Sequence, residues 1–145
     1  MKVTDKQFTK DYKILEAVCK ELSVELKREG KSYFYYPDSK VIALPKYVKS
    51  KASLIVGLLH EIGHVIHRDS IFGGLSKTEN HNRVIIVEGE YKAWEHGYYL
   101  LQKLNLEHYN NFYIKEWAKS WNLYIKHVKD CHKLELLNMR VSIID

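Results

Sequence analysis

Residues 58 to 67 read Leu-Leu-His-Glu-Ile-Gly-His-Val-Ile-His, so two histidines four positions apart sit inside a run of Leu, Ile and Val. With Leu54, Ile55, Leu58, Leu59, Ile62, Val65 and Ile66 supplying a broad apolar side, the spacing predicts a central, largely buried helix from about Lys51 to Arg68. Ser50 or Ser53 is its N-cap. On a helix, residues four apart stand one turn above each other, so His60 and His64 project from one face. Burying two imidazoles and the Glu61 carboxylate in such surroundings without partners costs several kcal/mol. Whatever fold forms around this helix must therefore supply partners, and a bound cation does so directly. With 8 His in the chain, roughly one shuffled sequence in thirty contains H-E-x-x-H, so the apolar setting carries as much of the argument as the spacing.

The rest of the chain reads as one domain over residues 1–145, α+β in class and mainly helical. Apolar positions three or four apart, from Phe8 through Leu15 and Leu22 to Leu26, predict an N-terminal amphipathic helix over residues 5–29, ended by Gly30. Tyr33 to Tyr36 and Val41 to Leu44 flank Pro37-Asp38-Ser39-Lys40, which predicts a small antiparallel β-hairpin closed by Pro45. Ile71 to Asn82 lacks periodicity and is expected to be a loop. A third helix is expected from about Arg83 to Leu104, Asn105 breaks the pattern, and a C-terminal helical segment spans 107–137.

Zinc suits two imidazoles, because a tetrahedral d¹⁰ ion accepts nitrogen ligands at about 2.0–2.1 Å. Glu61 follows the first histidine and is turned about 100° around the helix axis, which brings it beside an ion rather than onto it and makes it the candidate general base. A catalytic zinc takes three protein ligands and keeps one position open. His67 shares the stripe but lies nearly two turns from His60, so it reads as a residue of the helix C-terminus favoured by the dipole. The next helix offers Glu88 and Glu90. Glu90 is the chosen third ligand, since the small Ala93 shares its face and permits close helix approach, and Glu88 is held in reserve. Tyr91, His81 and His96 are candidate donors to a developing oxyanion. Trp94, Trp117, Trp121 and Tyr124 read as packing residues, with a partner groove as the second reading for the last three.

These motifs resemble the ImmA/IrrE group of zinc metallopeptidases, small bacterial and phage proteins of the gluzincin type. The similarity covers roughly residues 33–104 within a catalytic core of about 31–104, and rests on the hairpin, on His60-Glu61-x-x-His64 and on Glu90-x-x-Ala93-Trp94. It implies a zincin-like minimal metallopeptidase domain, with the hairpin packed on the helix that carries the histidines. It implies zinc held by His60, His64 and Glu90, with Glu61 as base, and hydrolysis of a peptide bond in a protein substrate such as a repressor or other regulator. The strand Val41 to Leu44 is then expected to lie beside the cleft as an edge. Trp94 stands where the group commonly has a polar residue, and the similarity does not extend to residues 105–145.

Composition narrows the alternatives. The net charge of +5 is spread out, with +5 on residues 1–60, −2 on 61–100 and +2 beyond, and no block of like charges forms. Nucleic acid is therefore not the expected partner. Ala52 to Leu59 is far short of the ~20 apolar residues of a membrane helix. The opening MKVTDKQFTK lacks a signal peptide's apolar core, and the two cysteines lack metal or disulfide spacing; together these predict a cytoplasmic chain. Two other function classes compete with a peptidase: a non-catalytic regulatory protein that uses zinc as a clip, and a nucleic-acid-associated accessory factor. An intact Glu61 beside the histidines favours the enzyme, because a structural clip has no use for a base.

Overall fold

The computed structural model describes residues 2–72 and 83–130. Helix α1 (Asp5–Glu21) leads into strand β1 (Glu25–Gly30), followed by β2 (Phe34–Tyr36) and β3 (Val41–Pro45). Two long helices come next, α2 (Lys51–Phe72) and α3 (Arg83–Lys103). A 3₁₀ turn at Glu107–Tyr109 then opens α4 (Asn110–Asp130). The protein is α+β and mostly helical, as its periodicities predict.

The N-terminal helix is shorter than expected. Instead of running to Glu29, α1 stops at Glu21, and the amide of Val24 donates to the Cys19 carbonyl at 2.8 Å while that of Ser23 donates to Lys20 at 3.1 Å. This is a Schellman closure, with Ser23 at φ 58° where glycine is usual. Val18, Leu22 and Leu26 keep helical spacing across it, so a serine breaker leaves no mark in the periodicity. The freed residues form β1, which pairs parallel with β3. Helix α3 ends with the same closure at Asn105, φ 58°, and there asparagine announces it in the sequence.

The hairpin forms as expected, with β2 antiparallel to β3 and Tyr35 opposite Ile42. It belongs to a three-stranded mixed sheet of order β1-β3-β2, which corrects the expectation that Val41 to Leu44 is an edge. β3 is the central strand, paired on both sides, and the edges are β1 and β2. Parallel pairing over a long sequence gap has no local signature.

Helix α2 is the spine of the core. Leu54, Ile55, Leu58, Leu59, Ile62 and Val65 are all within 1% of complete burial and pack with Leu15, Ile42, Leu44 and Leu101. Its start is capped reciprocally: the Ser53 amide donates to the Ser50 hydroxyl oxygen at 3.1 Å, and the Ser50 amide to that of Ser53 at 3.2 Å. Asp11, 1% exposed, ties α1 to the turn before α4 by accepting from Gln7 Nε2 at 2.8 Å, His108 Nε2 at 2.8 Å and the Tyr109 hydroxyl at 2.7 Å. The expected loop over Ile71 to Asn82 overlaps α2 for its first two residues, and the remainder, with residues 131–137 of the expected last helix, lies outside the described residues.

Candidate metal centre

The apolar stripe of α2 orients the site. Because its Leu, Ile and Val side chains must face the core, His60 and His64 emerge together toward α3. Their Nε2 atoms are 3.2 Å apart. Glu90 of α3 meets both: one carboxylate oxygen is 3.1 Å from His60 Nε2 and the other 2.9 Å from His64 Nε2. Among the described residues, these three form the group able to share one ion. Two atoms bound at about 2.0–2.1 Å to a tetrahedral ion stand roughly 3.3 Å apart, so the separations suit the edges of such a polyhedron. The donor set, two imidazole nitrogens and a carboxylate, fits zinc.

Close helix contact makes this convergence possible. A β-carbon on Gly63 would collide with the Ala93 carbonyl oxygen and lie 2.7 Å from its carbon, so the two backbones touch between His60-His64 on one side and Glu90 on the other. Ala93 is fully buried at that crossing. Glu90 joins the two histidines in the group that could share an ion, whereas the charge of Glu88 acts on His67. His67 itself lies outside the ligand group, with its ring 6.0 Å from that of His96. It is also not in the last turn, since α2 continues to Phe72.

The electrostatics follow from burial and pairing. Burial alone would raise Glu90, but hydrogen bonds from His60 and His64 outweigh it and hold the carboxyl well below the usual range. Burial lowers His60 overall, whereas for His64 the attraction of Glu90 wins and the imidazole is raised. Glu61, 5% exposed, is pushed up to about 7 by burial. His64 opposes that shift, Glu90 adds to it, and a hydrogen bond from the Tyr35 backbone opposes it again. That bond places edge strand β2, rather than β3, against Glu61.

No family model, curated protein or solved structure matches the chain. The site also includes two side chains whose helical spacing alone predicts packing. The Trp94 indole stacks on His60, with centroids 4.1 Å apart and planes 28° from parallel. His60 Nδ1, on the same ring, is buried with no hydrogen-bond partner among the described residues. Burial raises the Tyr124 phenol of α4 well above its ordinary value, and the nearby Glu90 carboxylate adds to that shift. Its one sequence signal is helical spacing from Trp117 and Trp121, which ordinary core contact explains equally well. Of the expected oxyanion donors, Tyr91 packs against Trp117 at 5.7 Å and Trp121 at 5.4 Å, and His96 faces His67. His81 lies outside the described residues.

Proposed function

We propose that this protein is a zinc-dependent peptidase of ImmA/IrrE type with a zincin-like core, acting on a protein substrate such as a regulator in the cytoplasm. The observation that carries the reading is the position of a buried glutamate, Glu61, one residue from a ligand and outside the His60-His64-Glu90 group. A site needed only as a structural clip has no use for a carboxylate confined there.

His60, His64 and Glu90 would hold the ion. A bound zinc ion supplies Lewis acidity, polarising a peptide carbonyl and rendering water acidic near neutral pH. Glu61 accepts a proton from the attacking water at its carboxylate and returns it to the leaving amine nitrogen. Burial suits Glu61 to this exchange, because a carboxyl disfavoured as an anion releases its proton readily only to a strong base such as an amine. Among the described residues strand β2 pairs with β3 on one side only, and its Tyr35 backbone reaches Glu61, so an extended segment added along that edge would pass the base.

Metal analysis of the purified chain, combined with cleavage of a peptide library read by mass spectrometry, tests the proposal. Near one zinc per chain is expected, with new peptide termini that vanish on chelation and in Glu61→Gln. A zinc-free chain removes the metal centre, and undiminished cleavage by Glu61→Gln removes the base.

A further inference from the structure

Helix α4 lies outside the ligand set, yet one face of it holds the residue that stacks on a ligand. Tyr113, Trp117, Ser120, Trp121 and Tyr124 recur at helical spacing and turn toward α3. Ser120 Oγ accepts from Trp94 Nε1 at 3.2 Å, and the Tyr113 hydroxyl donates to the Trp94 carbonyl at 2.6 Å. Trp94 is thereby pinned at both its indole and its backbone, 7% exposed, with its ring on His60. Gly97 makes room for this grip, since a β-carbon there would meet the Tyr113 hydroxyl.

A ligand imidazole is ordinarily oriented by a hydrogen bond to its other nitrogen. Among the described residues none reaches the Nδ1 of His60, which is buried. Packing must then hold the ring, and Trp94 is the group that lies flat against it.

We propose that α4 positions one of the three ligands: Ser120, acting through the stacked Trp94, sets the plane of His60. This rests on the reading of His60, His64 and Glu90 as a metal centre. Trp94 and Ser120 are positioning residues, and they act on how tightly and in what geometry the ion is held. Ser120 would not matter to the metal if α4 merely covered hydrophobic surface, since its hydroxyl adds almost no apolar area.

The test is zinc affinity of the full chain, measured by competition with a chromophoric chelator, together with the visible spectrum of the cobalt(II)-substituted protein. Ser120→Ala should weaken zinc binding about tenfold and shift the cobalt bands. Ser120→Thr, which restores a hydroxyl, should return both toward the parent. Leu123→Ala, at a position 68% exposed on the same helix, should change neither. Trp94→Ala should weaken binding further, and because it removes a large buried ring, the milder Ser120→Ala decides the matter. Parent-like affinity and spectra in Ser120→Ala overturn the positioning role while leaving the metal centre intact. A parent chain that binds no zinc overturns the metal centre and this inference with it.

Discussion

Gly63 of α2 and Ala93 of α3 touch backbone to backbone: a β-carbon at 63 would lie 2.7 Å from the Ala93 carbonyl carbon. In an exposed helix, replacing glycine by alanine stabilises by about 1 kcal/mol, because it reduces backbone freedom in the unfolded chain. Here the gain is reversed. Gly63→Ala must push the helices apart, and a loss of about 1–3 kcal/mol in urea unfolding is expected, accompanied by weaker zinc binding. Gly89 meets nothing within 4 Å, so Gly89→Ala is expected to be neutral or slightly stabilising. Equal effects of the two substitutions would show that the crossing does not set the site.

Ligand choice gives a second contrast. Glu90→Ala removes the partner of both imidazoles and should leave the purified protein without stoichiometric zinc, while Glu88→Ala should retain it. Metal content of the two variants, purified side by side, checks this.

The raised Glu61 carboxyl makes the stability of the metal-free protein depend on pH. Its folded value, about 7, lies above the ordinary 4.5, so the folded state keeps a proton that the unfolded chain releases. The contribution to stability is fully present below pH 4.5 and is lost as pH rises through about 7. Glu61→Gln has no such loss. In the presence of a chelator it should gain on the parent by about 3 kcal/mol between acid and mildly alkaline pH. A difference in unfolding free energy that stays flat over this range would contradict the burial argument.

Asp11 carries the attachment of α1. Asp11→Ala leaves the fully buried Tyr109 hydroxyl without its acceptor and should cost about 3 kcal/mol, while Tyr109→Phe should cost about 2 kcal/mol. Chemical denaturation of both variants checks the order, and a smaller loss for Asp11→Ala than for Tyr109→Phe would sink it.

Some of this architecture is readable directly from the residue order. The α2 stripe, the pairing of His60 with His64, the hairpin around Pro37 to Lys40 and the break at Asn105 all depend on neighbours within a few positions, and each has a local signature. The end of α1 shows the limit of that reading, because Ser23 adopts the left-handed turn that glycine or asparagine would have advertised.

By itself, then, the sequence determined which helix face carries the two imidazoles and where Glu61 stands beside them, since helical periodicity is a short-range property. Residue spacing favours Glu90 over Glu88, but only the tertiary structure brings it onto both histidines, makes β3 central and β2 an edge, and lays Trp94 on His60. Those choices depend on which faces of distant elements meet. The contact between Gly63 and Ala93 and the bond from Trp94 to Ser120 span 30 and 26 positions, and no local pattern encodes a distance of that kind.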